Sequence, residues 1–203
     1  MLSPDEGYIK YQAHWTPTEP FALPAIAGLN KYRQQLYEAE LIGAYPDGIG
    51  FGNISQRAEP GNHAFYISGS ATGNLPVLDE RHYALVEKVN ITGNELWCSG
   101  PIIASSEAMS HAVIYQTCPW VGSVVHIHHL ALWEHLLYKV PTTDASATYG
   151  SPEMAYEIIR LLHSSDLPEQ KIFAMAGHRE GIFSFGVNLQ EAVELVLRLQ
   201  KLI

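Results

Sequence analysis

The chain has 203 residues and a mass of 22.5 kDa, enough for one domain with a sizeable core. Apolar residues make up 47% and charged residues 16%, which excludes a disordered chain. A net charge of −9 without a Lys/Arg cluster argues against a nucleic-acid surface, and no apolar run approaches the roughly 20 residues that cross a bilayer.

Residues 1–20 mix aromatic residues and prolines without a period, and read as an N-terminal arm packed on the body. From Pro24 to Gly43, Ile26, Leu29, Tyr32, Leu36 and Leu41 recur at helical spacing, with Pro24 suited to a first turn and Gly43 to a stop. The glycine-rich segment 44–55 can turn tightly or lie close to a ligand, and it leads into a strand over Ile54–Arg57. A turn at 59–62 brings in a second strand, Ala64–Ser68. That strand runs into Ser68-Gly69-Ser70-Ala71-Thr72-Gly73, whose N–H and hydroxyl groups can face an anion, although the pattern is not a P-loop. Asp79–Leu85 reads as a short helix, and Val86–Thr92 with Glu95–Cys98 as a hairpin across Thr92-Gly93-Asn94.

Ser105-Ser106-Glu107 opens the next helix, which runs to about Cys118; either serine can cap it, and Glu107 suits the first turn. Glu107 and His111 are four apart and share a face. Val124-Val125-His126-Ile127-His128 follows as a buried strand. Alternation puts His126 and His128 on one side and Ile127 on the other. Two imidazoles side by side on a rigid strand are half of a tetrahedral metal site, or two hydrogen-bonded histidines at a strand end. Of the ten histidines, five (111, 126, 128, 129 and 135) fall within 25 positions, which sharpens the metal question. His129–Tyr138 reads as a short helix, and a strong amphipathic helix follows Tyr149-Gly150-Ser151-Pro152. Lys171–Ala176 is an apolar strand, 177–181 a tight turn, Ile182–Phe185 a strand and Leu189–Leu202 a closing helix. Seven or eight strands and five helices predict a three-layer α/β/α sandwich around a central mixed sheet, one domain over residues 1–203. Cys98 and Cys118 make no disulfide framework, and the polar N-terminus with Asp5 and Glu6 is unlike a signal peptide. A cytoplasmic protein is the expectation.

Taken together, Gly52-Asn53-Ile54-Ser55, Thr72-Gly73, Ser105-Ser106-Glu107, Val125-His126-Ile127-His128, Tyr149-Gly150-Ser151 and Gly177-His178-Arg179-Glu180-Gly181 before Asn188-Leu189 resemble the class II aldolase/adducin head domain family, in family order. The resemblance implies a class II aldolase-like fold with a largely antiparallel sheet and a metal-dependent lyase or isomerase acting on a small, phosphorylated sugar. It implies zinc or another divalent ion on His126 and His128, Glu107 as the catalytic carboxylate, and Asn53, Thr72, Gly73, Ser105 and Ser106 as the phosphate cradle. In that chemistry the cation polarises a carbonyl and stabilises an enediolate while Glu107 moves the proton. Epimerase and dehydratase reactions, and a non-catalytic adducin-like interaction module, are the alternatives. It also implies a homotetramer with sites between subunits, to which four Trp and eleven Tyr add modest support.

The sequence departs from the family pattern in three places. The family's third histidine stands directly before the glycine that opens the next strand. Here Glu180 stands there and His178 lies two residues earlier, so His178 is the expected third ligand and Glu180 the alternative. The loop 68–73 is longer than the family's compact one. About twenty residues separate His128 from Tyr149, too few for the tyrosine that aldolases of this type use as an acid, leaving Tyr149 or Tyr45 to substitute.

Overall fold

A computed structural model of the protein describes residues 8–203. In chain order the strands are β1 (Gln12–Pro17), β2 (Gly43–Ala44), β3 (Gly50–Phe51), β4 (Asn53–Arg57), β5 (Phe65–Ser68), β6 (Tyr83–Asn90), β7 (Glu95–Gly100), β8 (Ser123–His128), β9 (Ile172–Ala174) and β10 (Gly181–Gly186). The helices are α1 (Leu23–Glu38), α2 (Ala108–Thr117), α3 (Leu130–Leu136), α4 (Pro152–Ser164), the single turn α5 (Leu167–Gln170) and α6 (Leu189–Gln200). Eight strands form one sheet in the order β1-β7-β6-β5-β4-β8-β10-β9, and β2 with β3 makes a small separate hairpin. Every pair in the large sheet is antiparallel except β1 with β7.

The layers follow from period-2 alternation along the central strands. On β8, Val125 and Ile127 enter one apolar core with Ile26 and Leu29 of α1 and Val193 and Val196 of α6. Val124 enters the opposite core, with Val113 of α2 and Ile158 of α4. His126 and His128 share the parity of Val124, so both imidazoles stand on the α2/α4 side of the sheet. Every residue of β8 is buried, as expected for a strand covered on both faces. The expected mixed, largely antiparallel α/β/α sandwich is the architecture found.

Two buried arginines clamp backbone that no ladder satisfies. Arg57 Nη2 donates to the carbonyls of Tyr115 (3.0 Å) and Cys118 (3.2 Å), and Nε to that of Val121 (2.8 Å). It thereby satisfies carbonyls at the C-terminal end of α2, where a cation is also favoured by the helix dipole. Arg33, on the core face of α1 between Leu29 and Leu36, donates to the carbonyls of Thr72 (3.0 Å), Gly73 (3.2 Å) and Pro76 (3.4 Å).

Three local expectations change. Residues 12–17 of the expected arm are an edge strand, registered in parallel on β7 from Gln12↔Glu95 to Pro17↔Gly100; residues 1–7 lie outside the described residues. A parallel pair so far apart in sequence leaves no local periodic signal. Tyr11 is 4% exposed, and its hydroxyl bridges the carbonyls of Ala104 and Ser105, so this segment packs on its own domain. The short helix expected over Asp79–Leu85 is one 3-10 turn, Glu80–His82, closed by a reciprocal capping box between Asp79 and His82. Pairing of Tyr83 with Ser68 then claims the chain for β6. Neither Ser105 nor Ser106 caps α2: Glu107 occupies the cap position, and Ser105 Oγ accepts only a long bond (3.4 Å) from the Glu107 N–H. Cys98 and Cys118 are free and buried, and no helix among the described residues is long and apolar enough to cross a membrane.

Candidate functional site

The site lies where β8 ends between β4 and β10. Register sets His126 opposite Asn53 on one side and Phe183 on the other, and His128 opposite Gly181. The ring of Phe183 stacks on His126 at 4.4 Å between centroids. The Nδ1 of His126 meets the carbonyl oxygen of Ile182 at 3.2 Å, which turns Nε2 into the site. There it stands 3.1 Å from Nε2 of His128. His128 is held from behind by the hydroxyl of Tyr45, 2.7 Å from its Nδ1, and by the ring of Phe51.

The third imidazole arrives on the turn between β9 and β10. His178 N–H donates to Met175 (3.3 Å) and Gly181 N–H to His178 (3.0 Å), while Glu180 takes a left-handed conformation (φ 72°). Gly177 lies so close to the carbonyl of Ala147 that an added Cβ would collide with it. The turn thus folds inward and delivers His178, 4% exposed, against His126 and His128. One ring nitrogen from each of the three lies within 4.8 Å of the others. The ring of Tyr149 packs on the outer side of His178 at 4.7 Å. Glu180 is elsewhere: its Oε2 accepts from the Tyr45 hydroxyl at 3.1 Å.

This donor set fits a divalent cation. Two ligands on tetrahedral zinc stand about 3.3 Å apart, since each Zn–N bond is about 2.0–2.1 Å. The 3.1 Å between the His126 and His128 nitrogens is close to that spacing without any backbone movement. Burial, followed by the neighbouring imidazoles, pushes the His128 pKa well below the ordinary value, so it stays neutral as a ligand must.

Glu107 closes the cluster from the N-terminal end of α2. It is 3% exposed, with Oε1 3.3 Å from His178 Nδ1 and 3.9 Å from His126 Nε2, and Oε2 accepting from Ser110 (3.2 Å). Burial pushes its carboxyl up. The close approach of His178, followed by His126 and His111, outweighs this and brings it down to about 2. The imidazole of His111 pairs with Ser55 and not with the carboxylate of its same-face partner Glu107. Its Nδ1 meets Ser55 Oγ (2.7 Å), which also meets Tyr115 OH (2.8 Å). Burial holds its pKa down at about 3.

A cavity of about 230 Å³ opens beside the imidazoles. Its near wall holds Glu107, His126 and His128 together with Asn53, the strand neighbour of His126, and Ser105 and Ser106, which precede Glu107; the loop 69–73, carrying Thr72 and Gly73, makes the far wall. All five expected cradle residues are therefore brought to one space. Asn53 Oδ1 is buried there without a hydrogen-bond partner among the described residues, as a group awaiting a ligand would be. Ala71 adopts φ 57° and bends the loop 69–73 around the cavity, and the Thr72 hydroxyl donates to the Gly69 carbonyl at 2.8 Å. Gly73 packs against Gly50 of the β2–β3 hairpin; a Cβ there would strike the carbonyl of Gly43 and the N–H of Phe51.

Sequence reasoning passed over Arg33, Tyr11 and the pairing of Tyr45 with Glu180. A charge between Leu29 and Leu36 on the apolar face of α1 was the available signal for Arg33. Tyr45, weighed as an acid, stands on the Nδ1 side of His128, away from the nitrogen that faces His126.

The fold and site define a three-layer α/β/α protein with a buried three-histidine cluster and a carboxylate at the end of the central strands. Residues 46–203 match the family described as Class II Aldolase and Adducin N-terminal domain, and the chain belongs to that family. Solved structures share the fold. An L-fuculose 1-phosphate aldolase is 21% identical, with a TM-score of 0.65 over 90% of this chain and 86% of that one. A sugar-phosphate aldolase from Thermotoga maritima is 18% identical, with a TM-score of 0.64 over 88% and 91%. The L-fuculose-1-phosphate aldolase from Thermus thermophilus is 18% identical, with a TM-score of 0.62 over 89% and 91%. No curated protein sequence matches this chain significantly.

Proposed function

We propose that this protein is a divalent-metal-dependent lyase that cleaves a small phosphorylated sugar in a retro-aldol reaction, with epimerisation at the same site as the alternative reaction. The observation that carries the proposal is the convergence of His126, His128 and His178 within 4.8 Å beside the buried carboxylate of Glu107. Zinc held there supplies a Lewis acid for a substrate carbonyl. His126, His128 and His178 would hold it through their ring nitrogens. Glu107 is the proton carrier: it is fixed by Ser110, stands 3.3 Å from His178 and lines the cavity beside His126 and His128. Asn53, Thr72, Gly73, Ser105 and Ser106 bind the phosphate and fix the reacting carbons relative to Glu107. The cavity of about 230 Å³ suits a small sugar, and the names of the three aldolases with this fold agree with that substrate class.

The same reading places the protein in the cytoplasm as a homotetramer of one-domain subunits, with sites completed at subunit boundaries. Exposed Tyr8, Trp120, Tyr138 and Tyr156 supply aromatic surface for such contacts. The test is metal content of the purified protein, followed by a retro-aldol assay across sugar phosphates with Glu107→Gln as control, and light scattering on the active sample. Zinc at one per chain with Glu107-dependent cleavage is expected. A metal-free, inactive protein overturns the reading in favour of a non-catalytic module, and a fully active monomer of about 22.5 kDa overturns the shared site.

A further inference from the structure

We infer that Tyr45 and Glu180 form an outer relay that fixes His128 as a metal donor, so that the carboxylate standing before Gly181 acts on the metal site through a tyrosine instead of binding the ion itself. The inference rests on the metal reading above and concerns positioning residues, neither of which touches substrate. The geometry is a chain of three groups. Tyr45 OH lies 2.7 Å from His128 Nδ1 and 3.1 Å from Glu180 Oε2, while His128 Nε2 faces His126 Nε2.

One phenolic proton serves two contacts, and that decides the directions. The Glu180 carboxylate can only accept, so Tyr45 donates to it. The phenol oxygen is then left as an acceptor towards His128, which must carry its proton on Nδ1. Nε2 is thereby the bare nitrogen, and it is the one that faces the other imidazoles. A ligating histidine whose second nitrogen donates to an oriented acceptor is fixed in tautomer and ring angle, and gains basicity.

Both relay residues are held by backbone and not by chance contact. Tyr45 sits on the β2–β3 hairpin, where its N–H donates to Ile49 (2.9 Å) and its carbonyl accepts from Gly48 (2.8 Å). Its ring packs on Phe51, whose own ring stacks on His128. Glu180 occupies a left-handed position in the turn that also delivers His178, and its carbonyl accepts from the His129 N–H (3.1 Å). The turn therefore spaces two side chains for two tasks: His178 reaches in to the cluster while Glu180 reaches round to Tyr45.

The experiment is zinc affinity by chelator competition on wild type, Tyr45→Phe, Glu180→Ala and the double variant, with thermal stability of each metal-free protein and the cobalt absorption spectrum as further readouts. Tyr45→Phe keeps the ring contacts and deletes only the hydroxyl. The expected loss of zinc affinity is about 10- to 100-fold for Tyr45→Phe, with metal-free stability unchanged and the cobalt bands shifted. Glu180→Ala is expected to lose less. The double variant is expected to bind no more weakly than Tyr45→Phe alone, because the groups act in series. Zinc affinity within about threefold of wild type in Tyr45→Phe overturns the relay and leaves the metal reading intact, as does a double variant whose losses multiply. A wild-type protein that takes up no zinc overturns the metal reading and the relay together.

Discussion

The two walls of the cavity are built by different means. On the near wall, side chains carry everything: His126 is stacked on Phe183, His128 backed by Phe51 and Tyr45, and Glu107 braced by Ser110, while His178, outside the cavity lining, packs on Tyr149. The far wall is mostly backbone. The loop 69–73 is bent at Ala71, pressed against Gly50 through Gly73, and pinned from below by Arg33, which takes up the carbonyls of Thr72, Gly73 and Pro76. Each wall is therefore vulnerable in its own way. Changing one functional group on the near wall removes chemistry while the packing survives. On the far wall, an added atom or a lost clamp moves the loop and leaves the chemistry in place.

The largest effect expected is on the near wall. Glu107→Gln keeps shape and volume, so fold and zinc stoichiometry should stay as in wild type while turnover on a verified sugar phosphate falls about 10²- to 10⁴-fold. Wild-type turnover in that variant would reduce Glu107 to a helix-start residue. Next comes Arg33→Met, which strips the Arg33 donor from the Gly73 and Pro76 carbonyls, while that of Thr72 keeps the Leu75 N–H. Each buried polar group left unmade costs roughly 1–3 kcal/mol, and at about 2–4 °C per kcal/mol for a chain of this size the melting temperature should drop by at least roughly 4 °C. Zinc content should be unaffected, and a melting curve that overlays wild type would show that the clamp is dispensable. Gly73→Ala is expected to cost roughly 1–3 kcal/mol through overpacking against Gly43 and Phe51. Inorganic phosphate, measured by calorimetry, should bind it more weakly while the zinc affinity holds. Loss of zinc before loss of phosphate would erase the distinction between the walls.

The last effect is a slope. His111 is buried and neutral, its pKa held at about 3, below the roughly 6.5 of an unfolded histidine. A depressed folded value means that the unfolded chain binds the extra proton first, so this contribution is complete above about pH 6.5 and is lost as pH falls towards 3. In His111→Gln the urea midpoint should fall less steeply between those limits than in wild type. An unchanged slope would assign the acid sensitivity to other groups.

The near wall was far more legible in the sequence than the far one. Alternation alone put His126 and His128 together, because strand geometry leaves no other choice. His178 was within reach since a glycine-flanked turn can swing inward, but only the structure fixed how: the left-handed Glu180 and the close pass of Gly177 by Ala147 turn His178 into the site. The hydroxyl and glycine runs marked the far wall as places for close backbone approach. What they could not convey is the partner of each approach, since Gly73 against Gly50 and Arg33 beneath Thr72 join segments more than twenty residues apart. The parallel edge strand β1 was missed for the same reason, its whole register lying on residues 95–100.

The central claim is that His126, His128 and His178 hold one cation beside Glu107. A crystal grown with zinc and measured at the zinc absorption edge tests it directly. A single anomalous peak is expected about 2.0–2.1 Å from one nitrogen of each of the three imidazoles, with Glu180 still on Tyr45. A peak held by Glu180 in place of His178, or three rings turned apart with no peak between them, would contradict it.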